Sequence, residues 1–267
     1  MDEARASPYD ERTQQRCTKL MTYCLAIKVN DGLILASDSR TNAGVDYVST
    51  YSKMHVFDKP GERFFVLLTA GNLATTQAVV NMIKRDLDNP HAELSLNTVE
   101  YAFDAAHYIG GINYGIQQEY KEPLKQAGTS AEASFILGGQ IAGKSHEIYL
   151  IYPQGNYIAA SPETSYLQIG ESKYGKPILD RVITLETSLE DAARCALVSL
   201  DSTMRSNISV GPPLELAFYR KDQLALERHL TLESNAPLFR RIQHRWNEGL
   251  RRTFKGLPRF EWEPKHD

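Results

Sequence analysis

The stretch T-Y-C-L-A-I-K-V (22–29), N-D-G (30–32), L-I-L-A-S (33–37) decides how the chain begins to fold. Two apolar runs flank an Asp-Gly, a strong short-range signal for a β-hairpin. Closing that hairpin brings Asp38, at the end of the second run, back beside Thr22 at the head of the first. Further along, residues 63–70 (R-F-F-V-L-L-T-A) read as another buried strand. Gly71-Asn72 opens a helix to about Asp88, with Leu73, Thr76, Val80, Ile83 and Leu87 on one face, and Asn89-Pro90 ends it. Asn97 with Glu100 predicts a capped helix start. That helix runs to about Tyr120, with Phe103, Ala106, Ile109, Asn113 and Ile116 on one side.

Residues 133–139, 147–152 and 156–160 read as a strand meander turning at Pro153-Gln154-Gly155, and 166–169 as a short strand leading into Gly170. A helix from Lys173 to Arg181, interrupted by Pro177, comes next. A longer helix follows, capped by Ser188 with Asp191 and reaching about Arg205. Residues 214–219 and 223–231 then form a hairpin across Arg220-Lys221-Asp222. Strands, two helices, strands, two helices, strands is the order of an α+β fold, and two sheets sandwiched between two helix pairs fit it. The main domain is expected over 22–232, and 233–267 is a basic helical tail. In that tail Pro237 suits the first turn of a helix to about Lys255. Leu238, Ile242, Trp246, Leu250 and Phe254 form its apolar stripe. The stripe packs either on its own domain or on a neighbouring subunit, since Trp and Arg are favoured interface anchors; phosphate binding is a third reading.

Composition narrows the classes. With 267 residues and 42% hydrophobic content the chain can bury a sizeable core, and a net charge of −3 gives no reason to expect nucleic acid or a membrane surface as partner. No apolar run approaches membrane-spanning length. Cys17, Cys24 and Cys195 are odd in number and widely spaced, which argues against a disulfide framework or a zinc site and for a reducing, cytoplasmic setting. The seven histidines show no ligand-like cluster, so neither metal nor cofactor is expected. Residues 1–20 are polar, of mixed charge and without an apolar signal core. They read as a leader, or as sequence upstream of a start at Met21.

Thr22, Asp38 and Lys53 each have an ordinary explanation. A threonine in a strand is a good β-former, an Asp at a strand end pairs with a base such as Arg40, and a lone lysine is solvated. Together they suggest chemistry. A third strand adjacent to the hairpin and carrying Lys53 would set an ammonium beside the other two. A threonine hydroxyl needs a base, and the α-amine of an N-terminal residue has an ordinary pKa of about 7.7–8.0, which suits that task. The strand-to-helix junction Thr69-Ala70-Gly71-Asn72 offers free backbone N–H groups for an oxyanion, or else is a simple tight turn.

Several blocks carry a resemblance: M-T-Y-C-L-A-I-K-V (21–29), D-G-L-I-L-A-S-D-S-R-T-N-A-G-V-D (31–46), S-K-M-H-V-F (52–57), L-L-T-A-G-N-L-A-T-T-Q (67–77) and L-Q-I-G-E-S-K-Y-G-K-P-I-L-D-R (167–181). They resemble proteasome-type N-terminal-nucleophile peptidases, most closely the Anbu branch, from about Thr22 to Tyr219. The resemblance implies the four-layer αββα fold of those hydrolases. It also implies Thr22 as nucleophile and base, Asp38 and Lys53 as the charged pair beside it, and Gly71 as the oxyanion glycine. Gly170-Glu171-Ser172 corresponds to the family's Gly-Ser-Gly turn with Glu171 at the serine position, leaving Ser172 as a shifted candidate. S-N-I-S-V-G (206–211) stands where the family has Asp-x-x-Ser-Gly-Gly. Ser209 matches the serine there, and either Ser206 or Asp201 takes the aspartate's place. Implied too are a peptide or unfolded-polypeptide substrate, a homo-oligomeric ring or spiral, and a separate ATPase, since the chain has no P-loop of its own. Thr69 and Leu73 would flank a pocket for a medium-sized apolar residue. The alternatives are a catalytically quiet structural subunit and a non-peptidase amidohydrolase. Translation from Met21 followed by methionine removal would expose Thr22; a retained leader would silence it.

Overall fold

The computed structural model describes residues 22–42 and 48–263. The predicted leader at 1–21 lies outside them. The hairpin is present: β1 (Tyr23–Val29) pairs antiparallel with β2 (Gly32–Asp38), Val29 opposite Gly32 and Cys24 opposite Ser37. Asn30-Asp31 forms the loop, and Gly32 is already the first paired residue of β2. Short strands β3 (Arg40–Asn42) and β4 (Val48–Thr50) pair with each other. β5 (Met54–Lys59) and β6 (Arg63–Gly71) form the next hairpin.

Helix α1 (Leu73–Asp88) starts where expected, with the Asn72 side chain accepting from the Thr75 N–H. α2 (Ala102–Gln126) starts later than the Asn97/Glu100 pattern predicts. Ser95 and Thr98 exchange side-chain and backbone bonds and hold 95–98 in a turn. The first N–H groups of the helix are instead served from Tyr101, whose own N–H is held by Asp104. The cap thus lies four residues later than predicted; Phe103, in the first turn, is 43% exposed, while Ala106, Ile109, Asn113 and Ile116 are buried.

The meander appears as β7 (Ala133–Ile141), β8 (Glu147–Ile151) and β9 (Tyr157–Ala159), followed by β10 (Tyr166–Gly170). α3 (Lys176–Val182) puts Pro177 in its first turn, where no N–H is needed, so proline opens this helix and does not interrupt it. α4 (Leu189–Ser206) is capped by Ser188. β11 (Leu214–Arg220) pairs with β12 (Arg228–Leu232). That second strand begins five residues later than predicted, because Asp222 and Leu224 take left-handed conformations in a longer loop. α5 (Pro237–Lys255) forms as predicted.

One sheet has the order β10-β1-β2-β11-β12 and the other β5-β6-β7-β8-β9. Their contact layer contains Cys24, Ala26, Leu33 and Leu35 from the first sheet against Phe64, Val66, Leu68 and Ile136 from the second. The alternate residues Leu25, Ile27, Ile34 and Ala36 pack instead under α3 and α4. Phe65, Leu67, Phe135 and Leu137 pack under α1 and α2. The layers therefore run α, β, β, α. Because each sheet is covered on both faces, β1, β2 and β6 are apolar at nearly every position and do not alternate with polar residues. In the tail, Phe239 is 1% exposed and anchors α5 on the α4 side. Ile242 packs there too, whereas Leu250 and Phe254 are 50% and 74% exposed. The stripe is thus divided between the domain itself and open surface.

Candidate functional site

Thr22 stands at the head of β1, a central strand flanked by β2 and β10. The hairpin register carries Asp38 to it. Asp38 Oδ1 accepts from Thr22 Oγ1 at 2.6 Å and from the Tyr23 N–H at 3.1 Å. Lys53 Nζ donates to the same oxygen at 2.6 Å and to the Arg40 carbonyl at 2.7 Å. Hydroxyl and ammonium thus share one carboxylate oxygen. The Asp38 side chain is fully buried and that of Lys53 is 10% exposed.

Lys53 does not arrive on a third strand beside the hairpin. The neighbours of β1 and β2 are β10 and β11, and Lys53 lies just ahead of β5 in the opposite sheet. It reaches Asp38 across the layer between the sheets, its carbonyl fixed by the Thr69 N–H at 2.9 Å. Arg40, the other expected partner of Asp38, donates elsewhere, to the Ile208 carbonyl at 2.7 Å.

A cavity of about 40 Å³ opens beside these groups, lined among others by Thr22, Lys53, Thr69, Gly71, Leu73 and Thr76. Gly71 is at φ +112°, where a Cβ would fall 2.3 Å from the Glu132 carbonyl oxygen. Only glycine fits this bend between β6 and α1, and it faces the same cavity as the Thr22 side. Cys24, next to Thr22 in sequence, is no rival nucleophile: complete burial pushes its thiol well above the ordinary range.

Ser172 and Ser209 are not drawn into this cluster. Both are partly buried, and among the described residues no hydrogen bond joins either hydroxyl to Thr22, Asp38 or Lys53. Ser172 uses its backbone to close the turn after β10. Ser209 donates its N–H to Asn207 Oδ1 at 3.0 Å. Neither candidate for the aspartate position reaches the site. Asp201 is taken by Arg205 and by Gln243 of α5, and Ser206 is exposed. Four contacts escaped the sequence reading. The Gly211 N–H donates to Asp38 Oδ2 at 3.2 Å, the Tyr23 N–H to Oδ1, and the Glu171 N–H to the Thr22 carbonyl at 2.7 Å. Asn207 Nδ2 donates to Glu171 Oε2 at 3.0 Å. The two motifs Gly170-Glu171-Ser172 and S-N-I-S-V-G did mark these turns, but backbone donors and an Asn–Glu pair leave no signature in residue type.

Two face-to-face antiparallel sheets between helix layers, with a threonine at the head of a central strand, make up the architecture of the N-terminal-nucleophile hydrolases. The family model for proteasome subunits matches residues 19–218. The chain is 44% identical to Anbu (ancestral beta-subunit) from Yersinia bercovieri, covering 91% of this chain and 100% of that one at a TM-score of 0.84. It is 45% identical to the protein of the helical assembly of the Anbu complex from Pseudomonas aeruginosa, with coverages of 90% and 99% and a TM-score of 0.84. Anbu from Hyphomicrobium sp. strain MC1 gives 40%, with coverages of 90% and 100% and a TM-score of 0.82. No match is found among curated proteins. The chain belongs to the proteasome family, in its Anbu branch, and is a proteasome-like peptidase subunit.

Proposed function

We propose that Thr22, once it is the N-terminal residue, is the nucleophile of a threonine-type endopeptidase. The observation that carries this reading is the sharing of Asp38 Oδ1 by Thr22 Oγ1 and Lys53 Nζ, each at 2.6 Å, at the edge of a cavity that Gly71 also lines. The free α-amine takes the Oγ1 proton as that oxygen adds to the scissile carbonyl carbon. The Lys53 ammonium favours the developing alkoxide, and Asp38 balances its charge. The oxyanion is stabilised by N–H groups at the Gly71 bend, where the start of α1 adds a favourable dipole. Collapse passes the proton to the leaving amine and leaves an ester on Thr22. The same amine then activates the water that hydrolyses the ester. The threonine methyl limits the rotamers of the attacking oxygen.

A peptide or unfolded polypeptide is the substrate that suits a narrow cleft edged by Thr69 and Leu73, and a medium-sized apolar side chain is the one that fits. Assembly into a homo-oligomeric ring or spiral is supported by the helical assembly of the Pseudomonas aeruginosa relative. A separate ATPase would deliver unfolded chains. Ser172 and Ser209 are kept only as contributors to the turns around the site.

The test is an epoxyketone, which needs both the hydroxyl and the free amine of one residue. Intact mass first identifies chains that begin at Thr22. An adduct on those chains, lost in Thr22→Ala, supports the peptidase. Absence of an adduct on such chains would leave a catalytically quiet structural subunit as the correct reading.

A further inference from the structure

Glu171 is a buried carboxylate, 4% exposed, that the chemistry above does not use. It follows Gly170, which sits at φ +82°, and a Cβ there would stand 2.0 Å from the Thr22 carbonyl oxygen, so only glycine fits. The Glu171 N–H donates to that same oxygen at 2.7 Å, so its backbone lies directly against the candidate nucleophile. Its Oε2 accepts from Asn207 Nδ2 at 3.0 Å, and Oε1 lies 3.3 Å from the largely exposed Lys173 Nζ. Asn207 Oδ1 in turn accepts from the Ser209 N–H at 3.0 Å. That bond shapes the turn that delivers the Gly211 N–H to Asp38 Oδ2. Arg40 grips the same turn through the Ile208 carbonyl.

Sequestering a carboxylate is costly unless it is well paired. This one has roughly four acceptor sites and two partners, one of them a lysine tip in solvent. A neutral side chain could tie the two turns together without that cost. The group that gives the charge a purpose is the cation that Thr22 gains when its amine is freed.

We propose that Glu171, seated on Asn207, is a positioning residue of the Thr22 site. Its negative charge holds the liberated amine in place, and its bond to Asn207 fixes the turn that supports Asp38. The inference rests on the Thr22 reading above. Among the described residues, the charged groups around Thr22 are Asp38 at the end of β2, Lys53 ahead of β5, Arg40 at the cleft, Glu215 of β11, held by the Ser52 hydroxyl, and Glu171 with Lys173 after β10. Among these described carboxylates, Glu171 is the one on the β10 side.

The experiment follows the rate of epoxyketone labelling against pH, on chains shown by mass to begin at Thr22. In Glu171→Gln the acidic limb should move down by about 0.5 pH unit, because removing a nearby negative charge disfavours the protonated amine. Labelling at the optimum should fall about tenfold as well. Asn207→Ala should slow labelling but leave the limb near wild type, because the carboxylate stays. The swap Glu171→Gln/Asn207→Asp returns one charge and one hydrogen bond, and its limb should lie between those of wild type and Glu171→Gln. A slower Glu171→Gln with an unmoved limb would mean a merely structural residue and would overturn the proposal, as would an unchanged rate. Should Glu171→Gln not fold, the swap is compared with Asn207→Ala. A lower limb in the swap supports the proposal, and coincident limbs overturn it. No adduct on correctly processed wild type would instead defeat the Thr22 reading, and this one with it.

Discussion

Lys53→Met removes an ammonium from a carboxylate whose side chain has no solvent exposure. Methionine keeps the length and apolar stem of lysine, so the change is mainly one of charge. Breaking a buried ion pair by deleting one partner costs about 3–5 kcal/mol. Asp38 keeps three donors, Thr22 Oγ1–H and the N–H groups of Tyr23 and Gly211. The lower end, about 3 kcal/mol, is therefore expected. For a chain of this size each kcal/mol moves the midpoint by roughly 2–4 °C, so Tm should fall by about 6–12 °C. In Asp38→Asn/Lys53→Met both charges are gone while an amide oxygen remains to accept from Thr22. That double variant should lie within about 1 kcal/mol of wild type, a coupling of about 2 kcal/mol or more. None of the variants should label with the epoxyketone. Urea and thermal unfolding at fixed protomer concentration measure the stabilities, since assembly would otherwise shift them. A loss below about 0.5 kcal/mol in Lys53→Met, or additive single losses in the double variant, would refute the picture of an ion pair buried under the nucleophile.

Gly170→Ala forces a side chain into left-handed backbone and onto the Thr22 carbonyl; a loss of about 2 kcal/mol or more is expected by urea unfolding, together with loss of labelling. Phe239→Ala empties the anchor of α5 and should cost about 3–5 kcal/mol, seen as faster amide exchange along α5 and around Gln243. Burial, helped by the Lys84 charge, lowers His55 to a pKa of about 4 from an ordinary 6.5. Between those values the unfolded chain binds more protons than the folded one, so stability is complete above about pH 6.5 and is lost as pH falls toward 4. The loss should be about 2–3 kcal/mol after a discount for partial exposure. His55→Gln should flatten that part of the urea midpoint against pH, and an unchanged slope would assign it to other groups.

Much of the first sheet was legible because its information is local. Asp-Gly between two apolar runs specifies a hairpin with a two-residue loop, and from that register Thr22 and Asp38 must meet. Asn72 and Ser188 are side chains that cap their own helices within three residues, so they too could be read directly. The start of α2 was misread because two overlapping local patterns compete. A Ser95–Thr98 turn wins over an Asn97–Glu100 cap once Ser95 is buried against the core.

Tertiary structure alone decided what crosses between layers. Lys53 lies 15 positions from Asp38 and in the other sheet, and only the packing of Leu33 and Leu35 against Phe64 and Val66 sets the spacing that lets its ammonium reach across. Asp201 could stand for an active-site carboxylate until α5 folded back and Gln243 claimed it. Glu171 and Asn207 are 36 positions apart and meet because β10 and the end of α4 both finish at the mouth of β1. Chemistry encoded in neighbouring residues can be read from their order. Chemistry shared between sheets depends on which faces the hydrophobic layers press together, and no single stretch of sequence contains that.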